Sequence, residues 1–342
     1  TGDGMSTAAA LPAPPRQDEG APPMGAFALP AAAEGVRRLS HRLGTGPVAR
    51  RGVSVLRRAA LWGRSDPVDV EVFPCEGGQG IWARLHPRDN LSEKRAFAGL
   101  QFFDRAERGA LSQAIAAHCG PEPFVFVDAG ANAGLYSLAA IAAAGGRVPL
   151  TILAVEPDPE TAARLRFNLA AADPGGTLSL VIEVALAGEA GEVCLSAAGR
   201  NRGEVSIASD GDGRRVEAIT LRTALSRAGL DRIDALKIDI EGMEAPVLEG
   251  FLASAPAALR PDLVILEAPL RDDAAVPSPK GQGRALWLLR DAGYELAART
   301  RLNAILTQPV QPISGPGRDD DTTGAARATR PAAAAASADL GG

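Results

Sequence analysis

The chain has 342 residues, of which 46% are hydrophobic, and its formal net charge is −5 at pH 7. This length holds one large or two modest domains with a full core, and the acidic balance argues against a general nucleic-acid-binding protein. No stretch approaches the roughly eighteen consecutive apolar residues of a membrane span, so the sequence predicts none.

Cysteine usage gives an indication of the compartment. Cys75, Cys119 and Cys194 are widely spaced and form no C-x-x-C pair. This pattern favours buried thiols in a cytoplasmic protein over a disulfide framework or a zinc site. The three histidines are scattered as well, so they indicate no metal cluster of their own.

The chain divides by composition into four segments. Residues 1–35 and 311–342 are rich in Ala, Gly or Pro without hydrophobic periodicity, and we expect both to be disordered. Residues 36–66 are basic and predict a helical N-terminal segment. Residues 67–310 form the predicted domain, with its ligand-binding core in residues 122–310.

The basic segment contains a short amphipathic helix, predicted for residues 48–62. Its apolar side is formed by Val55, Leu56, Leu61 and Trp62. A basic amphipathic helix can lie on an anionic membrane surface. We favour the alternative, that the helix docks on the domain.

A small β/α addition precedes the central part of the domain. Residues 68–84 alternate between apolar and polar side chains around a glycine-rich middle, which predicts a β-hairpin or a small meander. Residues 107–118 predict a helix that leads into the next strand.

The central stretch begins with residues 124–127, four apolar residues that predict a strand buried on both faces. The chain continues through Asp128 into a turn with glycines at positions 130 and 134, and then into an alanine-rich helix, residues 135–144. A strand, a glycine turn and a helix N-terminus together form the usual cradle for a nucleotide-like ligand.

The spacing of this turn differs from that of dinucleotide-binding folds, whose fingerprint is G-x-G-x-x-G. The sequence reads Asp128-x-Gly130-x-Asn132-x-Gly134, with Leu135 where a third glycine would fall. The stretch resembles motif I of class I S-adenosylmethionine (SAM) methyltransferases, and its form D-A-G-A-N-A-G-L-Y-S resembles the FkbM-type family. The resemblance implies a Rossmann-like class I methyltransferase sheet and S-adenosyl-L-methionine as the cofactor. It also implies that the four motif residues bind SAM.

A second buried strand, residues 150–155, ends at Glu156 and Pro157. A carboxylate offers two acceptor oxygens to the two hydroxyls of a ribose, so Glu156 is the candidate ribose acceptor, unless it only caps the following helix. The phrase V-E-P-D-P-E resembles the second signature of the same family, which places Glu156 and Pro157 among the cofactor-binding residues.

A third strand is predicted for residues 178–184. It is followed by Ala185 and Leu186, which the family resemblance places along the adenine of SAM. Residues 192–197 and 216–221 then predict a β-hairpin.

The second chemical signature lies just beyond, where Lys237, Asp239 and Glu241 alternate with apolar residues. Leaving these charges unpaired in a sheet interior would cost several kcal/mol, about the effective penalty for one buried ion. We therefore expect them to be paired, or to face a cleft at the carboxyl end of the strand. The block K-I-D-I-E-G-M-E strongly resembles the K-x-D-x-E-G-x-E motif of the FkbM-type family.

A fifth strand, residues 262–267, again ends in an acid. A helix is predicted for residues 283–292, and residues 294–298 with 304–308 predict a closing antiparallel strand pair. The predicted fold class is therefore α/β, with a mostly parallel Rossmann-like sheet flanked by helices. A small N-terminal β/α addition and disordered termini complete it.

The resemblance implies a SAM-dependent methyltransferase, and we expect O-methylation of a hydroxyl on a sugar, glycan or secondary metabolite. A hydroxyl is a poor nucleophile until a base removes its proton. Asp239 and Glu241 are the candidate bases, with His86 as an alternative from the N-terminal part. Lys237 is expected to pair with Asp239 and hold it ionised, although the two could form only an internal ion pair. A metal held by Asp239 and Glu241 is left open.

Two other classes of function stay open. One is a nicotinamide-dependent oxidoreductase on a Rossmann fold, against which the absent third glycine argues. The other is a non-catalytic SAM-fold partner protein, which would require side chains to fill the acceptor site. The sequence predicts a small-molecule or glycan hydroxyl acceptor and no nucleic-acid partner, and it leaves the oligomeric state open.

Overall fold

The computed structural model describes residues 20–74, 80–172, 177–197, 205–208, 213–269 and 283–309. Three subjects of the sequence predictions lie outside these ranges: residues 1–19, Cys75 and the tail at 311–342. All structural statements below concern the described residues.

From residue 124 onward the chain largely alternates between strands and helices, which is the order that builds a parallel sheet. The described helices are α1 Ala31–Ser40, α2 Pro47–Ala60, α3 Leu91–Ala98, α4 Arg105–Ala116, α5 Leu135–Ala144, α6 Pro159–Ala172, α7 Leu221–Arg227, α8 Glu244–Ser254 and α9 Arg284–Asp291. The described strands are β1 Val68–Phe73, β2 Ile81–Leu85, β3 Phe124–Ala129, β4 Leu150–Val155, β5 Thr177–Ile182, β6 Ala185–Leu186, β7 Gly191–Ala197, β8 Val205–Ala208, β9 Arg214–Ile219, β10 Ala235–Ile238, β11 Leu263–Glu267, β12 Glu295–Arg299 and β13 Asn303–Thr307.

Seven strands form the central sheet, in the order β12-β13-β11-β10-β3-β4-β5. The strands from β11 to β5 pair in parallel, and β13 runs antiparallel to both of its neighbours, β11 and β12. The predicted Rossmann-like sheet with a closing antiparallel pair is thereby confirmed. Its strand order reverses between β3 and β10, the switch point at which open α/β sheets bind ligands.

The sheet separates two apolar cores. Phe126 and Val127 are neighbours in β3, both fully buried, and they belong to opposite cores, as the alternation of side chains along a strand requires. Leu138 of α5 packs in the first core and Phe251 of α8 in the second. Burial on both faces explains why β3 reads as a continuous apolar run.

A smaller sheet has the strand order β6-β9-β7-β8. β7 pairs antiparallel with β9, which confirms the predicted hairpin, and β8 extends it on the other side of β7. The short strand β6 pairs with β9, and this pairing fixes Ala185 and Leu186 beside the central sheet.

The structure differs from the sequence prediction at residues 20–35, which are ordered. Helix α1 begins at Ala31, and the residues before it lie along the β1–β2 hairpin. Asp69 Oδ2 accepts hydrogen bonds from the backbone N–H groups of Gly25 at 2.8 Å and Phe27 at 3.0 Å. A sequence rich in Ala and Pro carries no periodic signal, so an order that depends on distant side chains cannot be seen in it.

Residues 20–30, here called the N-terminal arm, also bind a buried ion pair. Arg84 Nε lies 2.8 Å from Asp69 Oδ1, and the Arg84 side chain donates to the carbonyl oxygens of Pro22 and Pro23, both at 2.8 Å. The Arg84 guanidinium also lies 4.7 Å from the ring centre of Phe27, within the range of cation–π attraction. The arm thus supplies the remaining partners that a buried ion pair requires.

Helix α2 packs on α1 and also contacts α3 of the domain, and the contact with α3 agrees with the docking interpretation. The residues of its segment that are buried are Val53, Ala60 and Leu61, whereas Val55 is 63% and Trp62 86% exposed. The predicted apolar side, which included Val55 and Trp62, is therefore wrong in part, because the docked face is rotated from it. Contact with a membrane surface stays a prediction.

The prediction of buried thiols is confirmed for one of the two described cysteines. Cys194 is a buried free thiol, as predicted, but Cys119 is exposed. Among the described residues, no helix is long and apolar enough to cross a membrane.

Candidate active site

A cleft of about 510 Å³ lies at the carboxyl ends of the parallel strands, within the usual size range of small-molecule sites. It is lined by most of the predicted site residues, namely Gly130, Asn132, Glu156, Pro157, Ala185, Leu186, Lys237, Asp239 and Glu241. Asp128 and Gly134 are not among its lining residues. The cleft is open, and side chains do not fill it, as the non-catalytic alternative would require.

Gly130 is required by the close approach of two strand ends. Its φ is +73°, and a Cβ atom built on it would lie 1.8 Å from the backbone oxygen of Asp239. A side chain at this position would therefore collide with the backbone that carries Asp239. The turn after β3 and the turn after β10 are locked together at the centre of the cleft.

We expect Gly130→Ala to lower the free energy of unfolding by about 1–3 kcal/mol, the usual cost of overpacking, and to weaken SAM binding. Gly146→Ala is the matched control, because Gly146 also has a positive φ, +69°, but has nothing within 4 Å of a built Cβ. Urea unfolding of both variants measures the difference. Equal losses in the two variants would mean that the collision with Asp239 has no consequence.

Asn132 connects the glycine turn to the acid at the end of β4 and to the N-terminal addition. Its backbone N–H donates to Glu156 Oε2 at 2.9 Å, and its side-chain Oδ1 accepts from Asn90 Nδ2 at 2.7 Å. Asn168, which is fully buried in α6, donates to the carbonyl oxygen of Ala133 at 3.0 Å. The sequence predictions missed Asn90 and Asn168, because a single asparagine carries no signal of its long-range partner.

Glu156 lies at the cleft and is 7% exposed. Its second carboxylate oxygen accepts the backbone N–H of Asp158 at 3.0 Å. Burial raises the pKa of Glu156 to about 7, against the opposing effect of the Asp158 and Asn132 N–H groups. The helix-cap alternative does not hold, since Asp158 itself accepts from the Thr161 N–H at the start of α6.

Asp128 is fully buried beneath the cleft. Its Oδ2 accepts from the backbone N–H of Ser137 at 3.1 Å and from the Ser137 hydroxyl at 2.7 Å. Burial raises the pKa of Asp128, although Lys237 and Ser137 oppose the shift. The structure therefore places this acid beneath the cleft, where it holds the first turn of α5, and not among the carboxylates that line the cleft.

Lys237 lies between two carboxylates. Its Nζ is 3.5 Å from Asp239 Oδ2 and 3.8 Å from Asp128 Oδ1, and it donates to the carbonyl oxygen of Gly130 at 2.6 Å. Burial alone would lower the pKa of Lys237, but the negative charges of Asp239 and Asp128 outweigh it, so that the pKa is raised. The lysine is therefore charged, and the predicted pair with Asp239 is present.

Asp239 is the most accessible member of this group, with a side chain that is 40% exposed. It follows β10 directly, and its backbone N–H donates to the Ala129 carbonyl oxygen at 3.1 Å. Beside it lies Glu267, the last residue of β11, which also lines the cleft. Burial, then the charge of Asp239 and a hydrogen bond between the two carboxyl groups, raises the pKa of Glu267 to about 9.

Glu267 was missed as a site residue, although the sequence does place an acid at the end of the fifth strand. The raised pKa favours the protonated form of the Glu267 carboxyl group beside Asp239. Because β11 is a direct neighbour of β10, two acids at the ends of these strands are brought together. The two acids are close because β10 and β11 are neighbours in the sheet, and the order of the strands cannot be read from the sequence.

The raised pKa of Glu267 leads to a pH prediction. A carboxyl group with a pKa near 9 in the folded state stabilises the fold below its unfolded pKa, and this stability is lost as the pH rises toward 9. Glu267→Gln keeps a donor but cannot titrate. As the pH rises, we expect the free energy of unfolding of the wild type to fall, relative to that of this variant, by up to about 1.4 kcal/mol per pH unit. Urea unfolding of both proteins at pH 6 and pH 9 measures this difference. An unchanged difference between the two proteins at both pH values would contradict the shift.

Three further residues of the sequence analysis have distinct positions. Glu241 is exposed at the rim of the cleft with φ +54°. Glu244, the last acid of the same block, is buried and accepts the N–H groups of Ile240 at 2.8 Å and Gly242 at 3.2 Å, so it holds the turn. His86 does not line the cleft, and the alternative that it acts as the base loses its support.

The structure gives no support for a metal centre. Across the described ranges, no three His, Cys, Asp or Glu side chains are grouped so that they could hold a metal ion. Of the acids at the cleft, Asp239 is instead paired with Lys237, Glu267 lies beside Asp239, and Glu156 accepts backbone N–H groups.

A family model described as "Methyltransferase FkbM domain" matches residues 128–296. The match includes the glycine turn, the acid after β4 and the block around Asp239. A search of curated proteins finds no match.

Several solved structures are similar to this chain at low identity. The methyltransferase FkbM of Methylobacillus flagellatus KT is 16% identical, over 64% of this chain and 56% of that chain, with a TM-score of 0.37. The precorrin-6y C5,15-methyltransferase of Geobacter metallireducens GS-15 is 15% identical, over 58% and 85%, with a TM-score of 0.34. The SAM-bound magnesium protoporphyrin IX methyltransferase of Synechocystis PCC 6803 is 12% identical, over 64% and 85%, with a TM-score of 0.35. Likenesses at this level carry no argument about the acceptor.

Proposed function

This chain belongs to the FkbM family of class I SAM-dependent methyltransferases, and from that premise we propose that it methylates a hydroxyl group on a sugar, a glycan or a secondary metabolite. Its cofactor is S-adenosyl-L-methionine, which supplies an electrophilic methyl group on a sulfonium. The observation that carries the proposal is a partly exposed carboxylate, Asp239, beside a charged lysine at the floor of an open cleft.

The residues on one side of the cleft fit the cofactor. Glu156 presents a carboxylate at the end of β4, where a vicinal diol can donate to it, and Ala185 and Leu186 supply small apolar surfaces beside it. Gly130 leaves the backbone of the turn open to a ligand. We propose that these residues, with Asn132 and Pro157, hold the nucleoside part of SAM.

Asp239 is the proposed general base. A positioned carboxylate can take the proton of an acceptor hydroxyl during attack, a contribution of typically 10²–10⁴-fold in rate. Lys237 places its positive charge 3.5 Å from the Asp239 carboxylate, and Glu267 lines the cleft beside the same group. Glu241, at the rim, is assigned a lesser role, in contact with the acceptor.

The cofactor half of the proposal is tested by calorimetry with SAM. Since hydrogen bonds to a charged group contribute about 1.5–3 kcal/mol, we expect Glu156→Ala to bind SAM roughly 10- to 100-fold more weakly. Glu183→Ala is the control, because Glu183 is exposed and pairs only with Arg166 at 3.0 Å among the described residues. Undiminished affinity in Glu156→Ala would remove the assignment of the ribose site.

The two alternative functions, an oxidoreductase and a non-catalytic partner protein, are both disfavoured. The match to a methyltransferase family model disfavours a nicotinamide-dependent oxidoreductase, and a titration with NADH followed by fluorescence should give no binding. The non-catalytic alternative is disfavoured by the open cleft, because a partner protein has no need of a charged lysine and an accessible acid at its floor.

A further inference from the structure

A second cavity, of about 380 Å³, adjoins the cleft. Arg95, Asp104 and Leu302 line both spaces, so a molecule that extends from one to the other passes these three residues. The proposed methyl transfer makes no use of this cavity. Its lining includes four arginines, namely Arg50, Arg95, Arg105 and Arg301, and we call it the arginine cavity.

The four arginines lack counter-ions in the described part of the chain. None of them has a carboxylate within salt-bridge distance there, whereas other arginines do, such as Arg84 with Asp69 and Arg164 with Asp89. Arg50 donates to the backbone oxygen of Thr45 at 2.8 Å, a contact that leaves its charge unbalanced. The cavity wall therefore carries cations that form no salt bridge with a carboxylate of the described residues.

The two acids of this cavity are engaged elsewhere. Asp104 Oδ2 accepts the hydroxyl of Tyr136 at 3.1 Å. Glu107 is 2% exposed, and its Oε1 accepts from Thr300 Oγ1 at 2.6 Å and from Asn303 Nδ2 at 2.8 Å. Both acids thus serve as structural acceptors that tie α4 to its neighbours, and four cations against two carboxylates leave an excess of positive charge.

We propose that the arginine cavity binds an oxyanion group of the acceptor, a phosphate or a carboxylate. This inference rests on the proposed function and narrows its substrate class to anionic hydroxyl compounds. Guanidinium groups match phosphate and carboxylate oxygens in a two-pronged geometry. With its anion held there, an acceptor that extends past Arg95 reaches the cleft that Asp239 also lines.

Binding of the anion is tested without any acceptor. The full chain is titrated calorimetrically with inorganic phosphate and with pyrophosphate, and we expect Arg95→Gln/Arg301→Gln to bind at least tenfold more weakly. Arg51→Gln/Arg58→Gln is the control, because both arginines lie on α2 outside the cavity, and its affinity should equal that of the wild type. Absence of binding by the wild type, or equal binding by the Arg95/Arg301 double variant, overturns the inference.

Turnover distinguishes the sources of the anion. Transfer of labelled methyl from SAM is measured for matched neutral glycosides, their phosphates and the corresponding uronic acids. We expect the phosphates or the uronic acids to be methylated in preference, with KM raised at least tenfold in Arg95→Gln/Arg301→Gln. Methylation of neutral glycosides alone would overturn this inference and leave the proposed function intact. Failure of SAM itself to bind would remove the proposed function, and the phosphate titration would still report on the cavity.

Discussion

Asp239→Asn is expected to lower kcat by roughly 10²–10⁴-fold, the range attributed to a general base, while the affinity for SAM stays within a few-fold of the wild type. The side chain keeps its shape but loses the charge that accepts the proton. The measurement pairs single-turnover methyl transfer with calorimetric SAM binding. Because 40% of the side chain is exposed, the substitution is expected to leave the fold intact, so that a loss of turnover reports on the chemistry.

Two companion variants make the test of Asp239 specific. Glu241→Gln should lower turnover less, since Glu241 is at the rim of the cleft. Asp291→Asn, at the exposed end of α9, should have no effect. Unchanged turnover in Asp239→Asn would end the assignment of this residue as base, and a larger loss in Glu241→Gln would transfer the role to Glu241.

Lys237→Met should be the most destabilising of the substitutions considered, because it leaves Asp128 charged, fully buried and without its cation. Removing one partner of a buried ion pair costs about 3–5 kcal/mol, measurable by urea unfolding. Without Lys237 the pKa of Asp128 should rise further, so that this acid takes up a proton as the pH falls. The stability deficit of the variant should therefore shrink toward acidic pH.

A second substitution separates charge from packing at Lys237. In Lys237→Met/Asp128→Asn neither member of the pair carries a charge, and the amide introduced at position 128 can still accept from Ser137, the partner of Asp128 in the wild type. We expect the double variant to recover a large part of the lost stability. If it is instead as unstable as Lys237→Met, the cost arises from the lost methylene packing or from the lost bond to the Gly130 carbonyl oxygen.

The fold could be predicted from the sequence wherever a buried strand produces a continuous run of apolar residues. β3 and β4 are buried along their whole length, so both read as apolar runs, and acids that interrupt such runs mark strand ends. Glu156, Lys237 and Asp239 were found in this way. The parallel strand ends then bring them to one edge of the sheet.

The parts that were not predicted depend on partners far away in the chain. Asp128 follows the same pattern as Glu156, but it is buried beneath the cleft and accepts from Ser137. The two other examples are more distant contacts. Asn90 joins the N-terminal addition to Asn132 across 42 positions, and Arg84 orders the N-terminal arm across 62 positions. Contacts of this range leave no local periodicity, so neither propensity nor spacing can reveal them.

The N-terminal arm decides where the protein can be shortened. The predicted domain starts at residue 67 and the family match at residue 128. The buried pair of Arg84 and Asp69, however, has partners in the arm: Arg84 donates to the carbonyl oxygens of Pro22 and Pro23, and Asp69 accepts from the Gly25 N–H. A recombinant fragment cut at either boundary would lose these partners, and a cut at residue 128 would also discard the pair itself and one wall of the cleft. Expression fragments intended for crystallisation or assay should therefore retain the chain from residue 20 onward.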